Sequence, residues 1–143
     1  FDLGVPPFLI SSVLNLIIAQ RLVRRICQNC VYSYEAGSDL DVIIKDQLAT
    51  LGVKENKKPL KVLYKGSGCA SCNMTGYRGR FGIFEIIGVT DIMRELITAS
   101  NFDLAAISAA ARRNEMKTMF EDGLLKVELA LTTMDELLRV IQE

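Results

Sequence analysis

The apolar positions near the start of the chain recur with the period of a helix. Leu9, Val13, Leu16 and Ile17 lie at helical spacing, and Pro7 stands where the first turn of a helix tolerates a proline. So wide an apolar stripe predicts a helix that packs into a core. The stretch is too polar to span a membrane, and it lacks the basic flank and the cleavage site of a secretory signal. We therefore expect a cytoplasmic protein.

The middle of the chain predicts one helix and one short strand. Ser38 and Asp41 form a capping-box pattern ahead of an apolar stretch that ends at Gly52, which predicts a helix of about a dozen residues. Alternating apolar and polar residues around Val62 then indicate a strand.

The last part of the chain predicts one strand followed by helices. A dense apolar segment, residues 83–87, precedes Gly88 and indicates a buried strand. Beyond it, residues of the type that begin helices recur at regular intervals. These helix-start signals are Thr90 or Asp91, Asp103, Thr118 with Glu121, and Thr133 with Glu136. The expected fold class is α+β and mostly helical.

Composition and charge exclude several functions. The 143 residues are 50% hydrophobic and 24% charged, which is typical of a soluble globular protein. The 17 basic side chains balance the 17 acidic ones, so no overall field favours nucleic acid. The absence of histidine excludes Ser-His-Asp catalysis, imidazole zinc ligands and histidine proton shuttles. Because the sequence begins at Phe1 and enters an apolar stretch directly, we expect a piece of a longer protein.

Four cysteines carry the strongest chemical signal. Cys27 and Cys30 form one C-x-x-C pair, and Cys69 and Cys72 form a second pair 38 residues further on. Two such pairs supply the four thiolates of a closed, structural zinc site. Disulfides, a redox-active pair and an iron site of the rubredoxin type are the alternatives that the spacing leaves open. The nearby basic residues Arg24, Arg25 and Lys65 could offset the negative charge of four thiolates on zinc.

A run of glycines and arginines precedes the predicted strand. If this run is extended, Arg78 and Arg80 emerge on the same side and can face a phosphate or a carboxylate. The alternative is a turn in which the arginines pair with local carboxylates such as Glu85. The sequence contains no G-x-x-x-x-G-K-S/T pattern, so it lacks a phosphate-binding loop of that type.

Several segments together resemble one family. The segments LISSVLNLIIAQRLVRRI, TGYRGRFGIFEII and MFEDGLLKVELALTTMDELLRV, with both cysteine pairs, occur in the order seen in the ATPases of type II secretion and type IV pilus assembly. The resemblance is to the C-terminal portion of these RecA-like ATPases. It implies that residues 1–26 are the last helix of the RecA-like core, that residues 27–72 are a tetracysteine zinc-binding subdomain, and that residues 73–143 are a core-edge strand with a C-terminal helical subdomain.

The resemblance also implies a mechanism for a longer protein. That protein would be a cytoplasmic homo-hexamer, peripheral to the inner membrane, that uses ATP and Mg²⁺ and drives an inner-membrane platform protein. Cys27, Cys30, Cys69 and Cys72 match the zinc ligands of the family, and Arg80 matches the arginine that reaches toward the nucleotide phosphates, a catalytic and cofactor-binding role.

Other matches and departures are smaller. Gln20 and Arg21 match a segment beside the ATPase core, and for them we expect a structural role. Glu115 stands where the family usually has glycine, and Ala130 with Leu131 stands where a glycine is common, which bears on turn geometry only.

Two rival functions remain for the chain by itself. A zinc-ribbon module could bind nucleic acid through the lysines between Lys54 and Lys65, or bind protein. Residues 27–72 carry a net charge of only +1, from six lysines against five acidic residues, so we expect no nucleic-acid partner. An electron carrier would hold iron in place of zinc and would be red.

Overall fold

A computed structural model describes residues 4–53, 59–99 and 103–142. These residues form six α-helices and four strands, a mixed α+β fold of the expected class. No helix in the described part of the chain has the length and apolar character needed to cross a membrane. In chain order the elements are α1 (Pro7–Val13), β1 (Leu16–Ile26), β2 (Val31–Glu35), α2 (Ser38–Thr50), β3 (Val62–Gly66), β4 (Tyr77–Gly88), α3 (Asp91–Thr98), α4 (Leu104–Arg113), α5 (Met119–Glu128) and α6 (Met134–Gln142).

The four strands form two small sheets. β2 pairs with β3 in an antiparallel register that places Val31 opposite Gly66. β1 pairs with β4. Just beyond the strands, Val89 N–H donates to the Asn15 carbonyl at 3.0 Å and Cys27 N–H donates to the Gly76 carbonyl at 2.9 Å. The start of β1 thus meets the end of β4, so these two strands also run antiparallel.

The chain divides into two compact units. One contains Phe1–Ala19 and Glu85–Lys117, and the other contains Gln20–Phe84 and Thr118–Glu143. Each unit is a set of residues that lie close together in space, and its bounds do not test the role of any segment. The assignment of residues 1–26, 27–72 and 73–143 to parts of a larger ATPase stays a prediction.

The first unit contains α1, α3 and α4. Its core is Met93 with the small residues Ala110 and Ala111, all buried. Thr90 accepts a hydrogen bond from Met93 N–H at the start of α3, and Asp103 caps α4 in the same way. Both predicted helix starts are therefore confirmed.

The second unit has the larger core. Its core consists of buried apolar residues from strands β1, β3 and β4 and from helices α2, α5 and α6: Val23, Ile44, Leu48, Leu63, Ile83, Phe120, Leu124, Val127, Met134, Leu137 and Val140. The predicted capping box of Thr118 and Glu121 begins α5. Helices α5 and α6 approach closely at Gly123, where an added Cβ would lie 2.1 Å from Leu137 Cδ1.

The prediction of one N-terminal helix through residue 26 is wrong. The helix ends at Val13, and Leu16–Ile26 is a strand. A continuous apolar run fits either period, and its β-branched residues favour a strand once β4 is available as a partner. Only Val23 and Ile26 of this strand are buried, whereas Leu16 and Leu22 are about half exposed, so the apolar stripe does not enter a core as a whole.

Two further elements differ from the sequence-based expectation. β4 begins at Tyr77, so the glycine and arginine run is part of the strand, and Ile83 is its only buried residue. Helix α2 has Gly37 at its N-cap in place of the predicted Ser38. The strand around Val62 and the helix end near Gly52 are confirmed.

Two helices end on non-glycine residues in the left-handed conformation. Glu115 follows α4 with φ of 59°, and Ala130 follows α5 with φ of 58°. After α5, Ala130 N–H donates to the Val127 carbonyl and Leu131 N–H donates to the Lys126 carbonyl, each at 3.0 Å. This is the Schellman arrangement, which usually has glycine at the left-handed position. The turn geometry is thus the one a glycine would give.

Candidate functional site

The fold brings the four predicted metal ligands together. Their sulfur atoms all lie within 4.8 Å of one another, and the four are free cysteines. Cys27 Sγ lies 3.9 Å from Cys69 Sγ, Cys30 Sγ lies 3.9 Å from Cys72 Sγ, and the sulfurs of Cys69 and Cys72 are 3.7 Å apart. Four sulfurs at about 2.3 Å from a tetrahedral zinc would lie about 3.8 Å from each other. The sulfur positions therefore fit a metal ion bound by four thiolates, two from each C-x-x-C pair.

Each pair sits on a tight turn beside a sheet. Cys27 follows directly after β1, and Cys30 N–H donates to the Cys27 carbonyl at 3.3 Å. The second pair contains a single 3-10 turn, Ala70–Cys72. The backbone N–H groups of Cys69 and Gly76 donate to Cys72 Sγ at 3.2 and 3.3 Å. Such bonds favour a negatively charged sulfur.

Three glycines make the second turn possible: Gly76 belongs to the glycine and arginine run noted in the sequence, whereas Gly66 and Gly68 were not noted there. A Cβ on Gly66 would lie 2.2 Å from the Gly76 carbonyl oxygen, and a Cβ on Gly76 would lie 2.6 Å from that of Gly66. A Cβ on Gly68 would lie 2.7 Å from the Met74 carbonyl oxygen. Backbone thus passes directly against backbone around the cysteines. The available signal was the glycine three residues before Cys69 and the one directly before it.

The surroundings of Cys72 and Cys30 shift the pKa values of these two thiols in opposite directions. Burial raises the pKa of Cys72, but the N–H groups of Cys69 and Gly76 and the neighbouring thiols outweigh it and lower that pKa to about 6. Burial raises the pKa of Cys30 to about 11, to which the neighbouring sulfurs contribute, while a backbone bond from Gly68 acts in the opposite direction. A metal cation would lower the pKa of every thiol that binds it.

The arginines of β4 do not lie together. Arg80 lines a surface depression of about 530 Å³ with Arg24, Thr75, Tyr77 and Gly79. Arg78 lines a separate depression of about 280 Å³ with Arg25, Ile26, Cys27, Gln28 and Asn29. The expectation that Arg78 and Arg80 share one side is therefore wrong. Gly79 lies between them with φ of 82°, and a left-handed residue breaks the alternation of a strand.

A buried carboxylate holds the arginine beside Arg80. Glu136 is 1% exposed and receives the Arg24 guanidinium at 2.6 Å and the Arg139 guanidinium at 2.9 Å. Burial raises the pKa of Glu136, but the bonds from Arg139 and Arg24 outweigh it and lower the pKa to about 2. Arg24 also lies over the Tyr77 ring, 4.2 Å from its centroid, and the Tyr77 hydroxyl bonds to Thr133 at 2.7 Å. In the predicted capping box of α6, Thr133 accepts from Glu136 N–H, whereas the Glu136 carboxylate binds arginines.

Other residues singled out in the sequence have structural contacts or fall outside the description. The Arg21 guanidinium donates to the Val140 carbonyl near the end of α6, which agrees with a structural role. Gln20 is exposed, and its side chain lies beside Gly82. The Lys65 ammonium lies 4.7 Å from the Tyr34 ring centroid. The lysines at 54, 57 and 58 lie outside the described residues.

The geometry defines an α+β chain with a cluster of four cysteines, and comparison with known proteins places it in a family. The model of the type II/IV secretion system protein family matches residues 1–139. The chain therefore belongs to this family. It is 41% identical to the type IV pilus assembly ATPase PilB of Thermus thermophilus over 96% of its length, and 40% identical to the type II secretion system ATPase E of Vibrio cholerae over 99%. It is also 36% identical to the protein transport protein HofB homolog of Escherichia coli over 98% of its length.

The match covers only part of these relatives. The chain corresponds to 14% of the Thermus thermophilus protein, 26% of the Vibrio cholerae protein and 27% of the Escherichia coli protein. The predicted family resemblance is confirmed along the whole chain.

Proposed function

We propose that this chain is the C-terminal part of a hexameric cytoplasmic ATPase that powers type II secretion or type IV pilus assembly at an inner-membrane platform protein. The observation that carries the proposal is the family match along residues 1–139, together with relatives named as ATPases of both systems. Since the sequence lacks the G-x-x-x-x-G-K-S/T loop that cradles nucleotide phosphates, the chain alone hydrolyses no ATP.

Within that protein, the four cysteines hold a structural zinc ion. Cys27, Cys30, Cys69 and Cys72 supply four soft thiolate ligands, a set that suits zinc and leaves no position open for catalysis. Zinc, when bound, would supply no reaction chemistry and would join the turn after β1 to the turn after β3. The backbone N–H groups of Cys69 and Gly76 donate to Cys72 Sγ and so favour the thiolate form that a metal needs.

The zinc assignment has a direct test in the 143-residue chain. Elemental analysis of the purified protein should find about one zinc per chain and a colourless solution. Cys69→Ser should lower zinc content and thermal stability together, since metal binding at such a site contributes to folding. Zinc well below one equivalent in the unaltered chain would refute the assignment, and a red protein would indicate an iron site instead.

Arg80 is the residue we assign to the nucleotide. It lines a surface depression beside β4. Arg80 forms no ion pair with another described residue. The nearby carboxylate of Glu136 binds Arg24, so it does not neutralise the charge of Arg80. A guanidinium placed in this way can donate two parallel hydrogen bonds to a phosphate and stabilise the charge that develops in phosphoryl transfer.

The test of Arg80 uses the longer ATPase of which this chain is the C-terminal part. Arg80→Ala should lower ATP turnover at least about tenfold, equivalent to about 1.4 kcal/mol of barrier. Arg80→Lys should recover only part of that loss, because lysine supplies charge without the planar fork. Zinc content and unfolding temperature should not change. Unchanged turnover with lower stability would show that Arg80 is a structural residue.

A further inference from the structure

We infer that Arg25 and Arg78 offset the negative charge of the tetrathiolate centre and thereby set its affinity for zinc. The inference rests on the proposed zinc site and assigns to this chain the residues that tune it. Four thiolates on Zn²⁺ carry a formal charge of minus two, and a site near the surface is more stable when cations face it.

The two arginines come from neighbouring strands and line one surface depression together with a ligand of the cluster. Arg25 lies at the end of β1, two residues before the first ligand, and Arg78 lies at the start of β4. Both line the depression of about 280 Å³ whose wall includes the ligand Cys27. The residues that line this depression include no carboxylate. Among these lining residues, the side chain that carries negative charge in a zinc site is therefore Cys27, one of the four thiolate ligands.

The other cations near the cluster are held elsewhere. Arg24, which the sequence also offered for this role, donates to both carboxylate oxygens of Glu136 through its backbone N–H and its guanidinium. Lys65 lies over the rings of Tyr34 and Tyr32, 4.7 and 5.6 Å from the centroids. By contrast, neither Arg25 nor Arg78 forms an ion pair within the described part of the chain. Arg78 and Arg80 line separate depressions. We attribute this separation to Gly79, which lies between them and has a left-handed φ that breaks the alternation of the strand.

The size of the effect follows from exposure. Both arginines are exposed, so water and salt screen their attraction to the centre. Loss of one charge should weaken zinc binding about three- to tenfold, and loss of both should weaken it further. The effect should shrink at high salt, since screening acts on the charge term alone.

The experiment measures zinc affinity in the 143-residue chain by competition with a colorimetric chelator. Arg25→Gln and Arg78→Gln remove the charge, and Arg25→Lys and Arg78→Lys keep it. Arg113→Gln is the control, because Arg113 lies on α4 in the other unit and its loss changes net charge equally. Measurements at about 0.05 M and about 0.5 M sodium chloride separate charge from shape. Cobalt spectra of each variant check that all four thiolates still bind.

The expected result is weaker binding in both glutamine variants at low salt, recovery in both lysine variants and no change in Arg113→Gln. Two results would overturn the inference while the zinc site stands: affinities in the glutamine variants equal to that of the control, or lysine variants as weak as glutamine variants. Absence of zinc from the unaltered chain would overturn the zinc site and this inference together.

Discussion

Arg24 binds both oxygens of the Glu136 carboxylate, with its backbone N–H on Oε1 at 3.0 Å and its guanidinium on Oε2 at 2.6 Å. The carboxylate belongs to α6 and the arginine to β1, so this contact joins the C-terminal helix to a strand 112 positions earlier in the chain. The Glu136 side chain is fully buried, while that of Arg24 is 44% exposed. The charge that needs the contact is therefore the carboxylate.

Removal of the Glu136 charge should destabilise the second unit. Glu136→Gln keeps the shape but weakens the bonds from Arg24 and Arg139 and leaves part of the amide without good partners. We expect a loss of about 2 kcal/mol, kept moderate because both arginines can turn toward water. Urea unfolding measures it, with the exposed Glu128→Gln as control. Equal unfolding midpoints in the two variants would contradict the prediction.

The same carboxylate should give the fold a defined acid sensitivity. The folded-state pKa of Glu136 is about 2 against an ordinary value of 4.5, so its contribution is complete above about pH 4.5 and is lost as the pH falls toward 2. The difference in unfolding free energy between the unaltered chain and Glu136→Gln should therefore shrink across this range. Acid also releases metal from thiolates, but it does so in both proteins. A difference that stays constant down to pH 2 would show that the pKa is not lowered.

Gly66 should be essential to the second cysteine turn. Gly66→Ala places a Cβ against the Gly76 carbonyl oxygen at 2.2 Å, and backbone on both sides leaves little room for adjustment. We expect loss of zinc and a lower unfolding temperature, measured on the same sample by elemental analysis and circular dichroism. Gly37→Ala is the matched control, because an added Cβ there meets nothing within 4 Å and φ is ordinary. Full zinc content in Gly66→Ala would contradict the account.

Glycine should stabilise the two left-handed helix ends. Glu115→Gly and Ala130→Gly remove a Cβ from positions with φ near 60°, where an L-residue is strained by about 1 kcal/mol or more. Glycine loses more conformational freedom on folding, so the net gain should be about 0.5 kcal/mol each, measured by urea unfolding. Ala109→Gly, on an exposed position of α4, should instead lose about 1 kcal/mol. Destabilisation by all three changes would refute the assignment of left-handed turns.

Local signals predicted what depends on neighbours in sequence. Thr90, Asp103 and Thr118 each cap the helix that they were expected to begin, because a cap is a bond between residues two or three positions apart. The cysteine cluster was predictable for a similar reason, since C-x-x-C spacing places two thiols on one turn. The meeting of the two pairs was predicted because zinc prefers four ligands in a tetrahedron and each pair supplies only two.

What the sequence could not show depends on distant partners. Leu16–Ile26 is a strand because β4 pairs with it, and β4 is about 60 residues away along the chain. The separation of Arg78 from Arg80 depends on the φ angle of Gly79, which a period-2 pattern does not contain. The ion pair between Arg24 and Glu136 could not be predicted, because the position of Glu136 in the sequence also fits a local capping box with Thr133.

The contact of Gly66 with Gly76 gives a stricter rule for recognising such sites in other sequences. Cysteine spacing alone tolerates any residue around the pairs. Here the backbones meet three residues before the third cysteine and four residues after the fourth. A homologous segment that keeps all four cysteines but carries side chains at both of these positions could not fold its second turn in this way. A search that requires both glycines should therefore separate sites of this architecture from other proteins with paired C-x-x-C motifs.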